Sequence, residues 1–550
     1  MANSNFDLEY LSQGKKPFII LAFLILLMSL IPAISLQPLD RDESRFMQAT
    51  TQMFETSDYI RINFQDEARN KKPVGIHWLQ AAVVKSLGQE NAHNPFYFRI
   101  VSLLGAYLAA ISTFLLGKTL FDRKTAFLGA VFLSTSLLLA TEAHIAKTDA
   151  ALTGFIALSF FALGKLRFEG KNLFYNLLFW GAFAIAFLIK GPVPLMVIFL
   201  AILLLYVWER NFDFIKNIFD IRGILLFLII ALPWYILIAI KTHGQFYVEA
   251  LGKDLGEKVS GKQENPSMPP GLHTLISPIL FWPWSLFMGA GLYAAIKEFK
   301  NEKIKFLLAI IIPTWLVFEI STGKLAHYTM PVHFAIMLLM AHAISNGYFK
   351  NWAKWLGLGL FVFALILVSA IPIYLANTYQ KPLLPFAYIS SATILIFSFF
   401  GLFAQFKGRK IAYLALLVAA IIFSNDVKGV LLSWVHDLNV SRNIASRLDT
   451  LGLNPRKFDV PNIVGAGYQE PSLIFLTRSD DRLASIDNAA KYAIDGAPFV
   501  VEDKEWKAFN EKMNSMGLIT IEKTAPITGI NYSKGKKVII HIGVLTKAIG

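Results

Sequence analysis

The 550-residue chain has no cysteine, and charged residues make up only 16% of it. The first absence removes disulfides, thiolate-bound zinc and thiol nucleophiles. The second, beside 55% hydrophobic and 14% aromatic residues, excludes a soluble core as the main architecture and points to a helical membrane protein. No Gly-rich phosphate loop or dinucleotide fingerprint occurs, so nothing calls for a nucleotide. No histidine spacing resembles a His-Glu-x-x-His metal motif. No internal repeat or low-complexity tract is visible, and acids within apolar runs reduce to Glu319 and little else. Both features argue against a transporter or flippase, which needs broken-helix symmetry or acids deep in its spans.

What the chain does have is apolar runs long enough to cross a hydrocarbon layer, at about thirteen places. They lie near 17–36, 97–116, 125–141, 149–166, 172–189, 192–208, 224–240, 274–296, 305–320, 330–346, 352–375, 386–403 and 411–424. The first, behind Gly14-Lys15-Lys16, is too long for a signal peptide and has no small-residue cleavage site, so it reads as an uncleaved span. Most of the +14 formal charge sits in alternate short links, such as Lys165/Arg167/Lys171 and Lys407/Arg409/Lys410. Membrane topology accounts for that charge without nucleic acid. Basic links face the cytoplasm, so the N-terminus is expected inside and the C-terminus outside, in a bacterial inner membrane. We expect an all-α polytopic membrane unit over 1–424, with outer loops at 37–96 and 241–273, followed by a small α/β periplasmic domain over 425–550. Val440–Leu451 reads as a helix there, and Phe499–Val501 and Val538–Ile542 read as strands.

The outer face carries the residues of interest. Asp42 and its neighbours follow the first span and open an amphipathic helix. Acids there stabilise a helix N-terminus, or serve as a base that orients or deprotonates a hydroxyl. Asp149, at another outer helix start, admits the same two readings. Lys72 opens a second apolar stretch, too short to span, at the depth of lipid phosphates. Lys147, Lys190 and Lys324 stand in short outer links, which basic residues should avoid. Each snorkels or holds an anion. Together with Arg45 and Arg99 they favour a phosphate site. The long loop Phe246–His273 suits a lid over that face, and His144, His273 and His327 lie near it.

In order and sidedness these motifs resemble the GT-C glycosyltransferases that use polyprenyl-phosphate sugars. They are an Asp-Glu-x-Arg-aromatic run, a Lys-Pro opening an interfacial helix, a Lys-Gly-Pro turn and Gly-Lys-Leu-x-x-Tyr-x-x-Pro. The nearest members are the aminoarabinose lipid A transferases and the protein O-mannosyltransferase-like bacterial enzymes, and the resemblance covers roughly 10–345. It implies Asp42 as base or acceptor contact, supported by Glu43 and Arg45, with Asp149 as second acid. It also implies Lys72, Lys258, Lys324 and Tyr328 on the lipid phosphate. The expected partners are a polyprenyl-phosphate sugar donor, lipid A, lipopolysaccharide or another envelope acceptor, and the bilayer. The expected reaction is inverting sugar transfer, the alternatives being a flippase of lipid-linked sugars or an enzyme acting on protein hydroxyls. Lys71 stands where the family has a glutamate associated with a divalent metal, so the resemblance implies no certain cofactor.

Overall fold

A computed structural model describes residues 8–210, 213–255 and 268–548, with no side-chain description for 251 and 253–255. Among the described residues, ten helices are long and apolar enough to cross a membrane. The pair Leu272–Leu280 and Trp284–Lys297, bent by 115°, makes an eleventh if counted as one span. The remaining two expected spans are helical as well. Arg123–Thr135 is only 13 residues and breaks before Leu137–Glu142, while Glu302–Ile320 carries charges at both ends. The protein is a polytopic helical membrane protein whose long helices leave residues such as Ile19, Ile229 and Ile389 exposed, a surface suited to lipid tails.

The last span does not stop where its apolar run does. It continues through a π-helical stretch, Phe423–Leu431, to Trp434. The polar residues that read as its end are satisfied by the first span: Ser424 Oγ donates to Met28 O at 2.5 Å, and Asn425 Nδ2 donates to Leu27 O at 2.9 Å. A hydroxyl or amide with a carbonyl partner is tolerated inside a bundle.

Small residues set how closely the helices approach. A Cβ on Gly154 would lie 2.5 Å from Gly105 O, so Pro95–Leu120 and Asp149–Phe168 meet backbone to backbone. Gly75 plays the same part for the short helix Gly75–Leu87, since a Cβ there would lie 2.6 Å from the Leu188 carbonyl. The Gly75 contact seats the Lys72-Pro73 segment beside the end of Leu173–Lys190, where Lys190 pairs with Asp149 at the start of Asp149–Phe168.

Residues 440–547 form helices around a five-stranded sheet. We label the strands of the chain β1 (Asn63–Phe64), β2 (Glu67–Ala68), β3 (Val464–Ala466), β4 (Pro498–Glu502), β5 (Leu518–Glu522), β6 (Ile527–Asn531) and β7 (Lys536–Lys547). The order is β3-β4-β7-β5 with β6 also on β7, and only β3 and β4 are parallel. Strand alternation divides the core. Val500, Ile540 and Ile542 pack with the helix Val440–Thr450, and Phe499, Val501 and Leu545 pack with Phe509 and Met513 of Asp503–Ser515. Phe475, from the helix Pro471–Leu476, inserts among Met47, Phe54, Ala81 and Phe98, which ties the sheet unit onto the membrane unit.

Candidate active site

Asp40 caps the helix Arg41–Thr56, its Oδ1 accepting from Asp42 N at 2.7 Å and Glu43 N at 3.1 Å. This directs the first helical turn into a cavity of about 960 Å³. The polar end of the cavity is lined by Asp40, Arg41, Asp42, Arg45, Arg69, Lys71, Lys72, Lys147, Asp149, Lys190, His327 and Tyr328. The other end is an apolar groove between Leu195, Phe227, Leu228, Leu232, Tyr235, Val317 and Phe318. Seven cationic side chains face three carboxylates, so an anionic ligand resolves the imbalance.

Asp42 is central to this array. Arg69 Nη2 donates to its Oδ1 at 3.0 Å, and Arg45 stands 3.6 Å from the same oxygen. Burial acts to raise the Asp42 carboxyl, but Lys72, Arg69 and Arg45 outweigh it and hold the group well below the usual carboxylate range. Arg69 and Lys72 each lie 5.5 Å from the centre of the Phe46 ring, which keeps both cations over one face.

Behind Asp42 lies a buried ion-pair lattice. Lys147 pairs with Asp40 at 3.0 Å and with Glu142 at 3.6 Å, and Lys190 pairs with Asp149 at 2.5 Å. Burial acts to lower the Lys147 ammonium, but Glu142, Asp40 and Asp149 hold it above its usual range. Burial pushes the Glu142 carboxyl above its usual range, against the pull of Lys147. His327 sits between two acids, Nδ1 at 3.6 Å from Glu142 and Nε2 at 3.7 Å from Asp149. Ligand atoms of Glu142, Asp149 and His327 fall within 4.8 Å of one another, a set able to hold a divalent ion. Both carboxylates already face an ammonium group, and an ion bound there has to displace Lys147 and Lys190.

Of the residues singled out in the sequence, the fold brings Asp42, Arg45, Lys72, Lys147, Asp149, Lys190, His327 and Tyr328 to this cavity. Two others it turns away. Glu43 is buried on the opposite side of its helix turn, accepting from Arg99 Nε at 2.8 Å, Arg99 Nη2 at 3.1 Å and Ala146 N at 2.8 Å. Arg99 is thereby consumed as well. Lys324 is 5% exposed and donates back to Glu319 O at 2.7 Å, Phe318 O at 3.3 Å and Ser321 O, closing the end of the preceding helix Glu302–Ile320. Lys258 lies outside the described residues, as does 256–267 of the expected lid. His144 and His273 are buried elsewhere, against Ala140 O and Leu325 O. Glu319 accepts from Gly271 N, Thr274 N and Thr274 Oγ, so the acid in an apolar run is a helix cap.

Sequence reasoning missed Arg69, Glu142, Tyr532 and Ser533. Arg69 stood in plain view in Arg69-Asn70-Lys71-Lys72, and Glu142 beside His144 at the end of a span. Tyr532 and Ser533, which also line the cavity, carry no signal, because only the docking of the sheet unit brings them there.

Residues 71–237 match a family model described as dolichyl-phosphate-mannose-protein mannosyltransferase. An undecaprenyl phosphate-alpha-4-amino-4-deoxy-L-arabinose arabinosyl transferase from Pseudomonas aeruginosa is 25% identical over 316 residues, 55% of this chain and 55% of that protein. The chain thus spans about half the length of the curated relatives it matches. Its structure superimposes on ArnT from Cupriavidus metallidurans bound to undecaprenyl phosphate, with a TM-score of 0.73, 15% identity and coverage of 95% and 97% of the two chains. The archaeal oligosaccharyltransferase AglB from Archaeoglobus fulgidus, in complex with an inhibitory peptide and a dolichol-phosphate, gives 0.51, 10% identity and coverage of 95% and 73%. The fold is the GT-C membrane fold.

Proposed function

We propose that the chain is an inverting glycosyltransferase that moves a sugar from an undecaprenyl-phosphate-type donor to a lipid acceptor, lipid A or lipopolysaccharide core, at the periplasmic face of the bacterial inner membrane. The N-terminus is cytoplasmic and the C-terminus periplasmic. Residues 1–434 carry the spans and most of the cavity, and 440–547 form a periplasmic α/β domain that adds Tyr532 and Ser533 to it. The observation that carries the proposal is a single cavity, cationic at one end around Asp42 and Asp149 and apolar at the other. That is the shape of a phosphate joined to an isoprenoid tail. The undecaprenyl phosphate named for the relatives of similar sequence and fold supports the same donor.

Lys72, Lys190 and Arg45, with Tyr328 as a neutral donor, stabilise the charge that develops on the departing phosphate. The groove between Leu195, Phe227 and Leu232 holds the tail. Asp42 accepts the hydrogen bond of the attacking hydroxyl. Glycosyl transfer runs through an oxocarbenium-like state, and the attacking oxygen becomes strongly acidic only as its bond to the anomeric carbon forms. A weakly basic carboxylate suffices at that late stage, which fits the three cations around Asp42. The C–O bond to phosphate breaks as the new glycosidic bond forms on the opposite face, the proton of the acceptor hydroxyl passes to Asp42, and the released lipid phosphate keeps the electron pair.

Mass spectrometry of lipid A and of envelope proteins, from cells with and without the gene, tests the reading. A sugar mass added to lipid A is expected, and no change in either class overturns it. The family match over 71–237 favours one second reading, a protein hydroxyl as acceptor, and the same spectra separate the two.

A further inference from the structure

Resting on that reading, we infer that the turn between β6 and β7 is the acceptor-binding wall of the site. Its ligand is the hydroxylated, phosphate-bearing headgroup of a glycolipid. The turn belongs to the sheet unit, yet Tyr532 and Ser533 line the same cavity as Arg41 and Asp42. They stand at the polar end, away from the groove assigned to the donor tail.

The turn is built rather than draped. Asn531, 3% exposed, accepts from Ser533 N at 3.0 Å and Lys534 N at 3.1 Å, while Gly535 takes the left-handed conformation (φ 63°) that closes the hairpin. Beneath it Glu470, 1% exposed, accepts from Asn531 Nδ2 at 2.9 Å and Ser533 Oγ at 2.6 Å. The other oxygen of Glu470 pairs with Arg41 Nε at 3.4 Å. A single buried carboxylate therefore ties the turn to the residue next to Asp42. These bonds place the Arg41 guanidinium and the turn that carries Tyr532 on the same cavity wall as Asp42.

The chemistry of that wall names its ligand. The Tyr532 ring suits the apolar face of a saccharide, its hydroxyl being buried beside Ser472, and Ser533 Oγ, which donates to Glu470, can still accept from a saccharide hydroxyl. Arg41 is only partly neutralised by a carboxylate on its far side, and its fork geometry suits phosphate. Glu470 touches no ligand in this arrangement and is a positioning residue.

The test uses the full-length protein in detergent, titrated with lipid A and separately with undecaprenyl phosphate, each followed by native mass spectrometry. Tyr532→Ala, which removes the ring from the wall, and Arg41→Gln are expected to weaken lipid A binding at least fivefold while undecaprenyl phosphate affinity stays within twofold. Glu470→Ala is expected to weaken lipid A at least tenfold, with Glu470→Gln recovering part of the loss through its retained carbonyl. Unchanged lipid A affinity in Tyr532→Ala and Arg41→Gln overturns the inference, as does an equal loss for both lipids. A wild-type protein that binds undecaprenyl phosphate but not lipid A overturns it too, leaving the donor side of the proposed function standing. Loss of binding to undecaprenyl phosphate in the wild type is the result that removes that function itself.

Discussion

Replacing Asp42 by Asn should separate catalysis from donor binding, in opposite directions. The substitution keeps an oxygen for Arg69, which sits 3.0 Å away, and removes one negative charge from among Arg45, Arg69 and Lys72. A phosphate bound to those cations lies one side-chain layer from Asp42, about 6 Å. At an effective dielectric of about 20 the repulsion removed is roughly 3 kcal/mol as an upper bound. The Asp42 side chain is 42% exposed, so solvent screening reduces this to about 1 kcal/mol. Undecaprenyl phosphate should then bind roughly fivefold tighter to the variant. The loss of the hydroxyl-orienting carboxylate should cost about 10²- to 10⁴-fold in transfer at saturating donor, or roughly 3–5 kcal/mol of barrier. Donor affinity comes from titration of the detergent-solubilised protein, and transfer from the initial rate of sugar appearance on lipid A. A variant that binds donor more weakly and transfers at the wild-type rate refutes both the electrostatic reading and the role of Asp42.

Because Asp42 is held well below the usual carboxylate range, it stays ionised until the pH falls far below that range. Rate–pH profiles should therefore show no loss attributable to Asp42 between about pH 5 and 8. An acid limb in that window that vanishes in Asp42→Asn contradicts this. The Lys190–Asp149 pair is 13% and 5% exposed, so Lys190→Ala should cost about 3–5 kcal/mol by stranding a buried carboxylate. The double variant with Asp149→Ala should recover much of the melting temperature and none of the activity. Glu43→Ala should destabilise by a similar ~3–5 kcal/mol through the stranded Arg99. Glu43→Gln should still fold and transfer sugar, and a folded but inactive Glu43→Gln restores Glu43 to the chemistry. Gly154→Leu should force apart two helices whose backbones meet, lowering yield of folded protein on size exclusion in detergent.

The membrane plan was legible because it depends on run length and on loop charge, which are local properties. Every expected span carries a helix. The helix Val440–Thr450 and the strands at 498–502 and 536–547 appear where periodicity placed them. The end of the last span was not legible, because Ser424 and Asn425 look like a terminus until the first helix supplies carbonyls for them. Eight outer-face residues singled out in the sequence meet in one cavity. Glu43 and Lys324 do not, for a related reason: each found a nearer buried partner. Sequence position alone cannot tell a charged group that faces a cavity from one satisfied behind it.

By itself, then, the sequence determined that the chain is a bundle of membrane helices with acids and lysines gathered at one end, since apolar length and charge placement are written residue by residue. The tertiary structure decided which of those charges share a cavity. Helix rotation turns Asp42 inward and its neighbour Glu43 toward Arg99, the close Gly75 contact brings Lys72 beside the end of Leu173–Lys190, and Lys190 there pairs with Asp149. It alone decided that Tyr532 and Ser533, some 490 residues downstream of Asp42, complete the same wall. Contacts across that separation arise from the docking of Phe475 and Glu470, which no local pattern encodes.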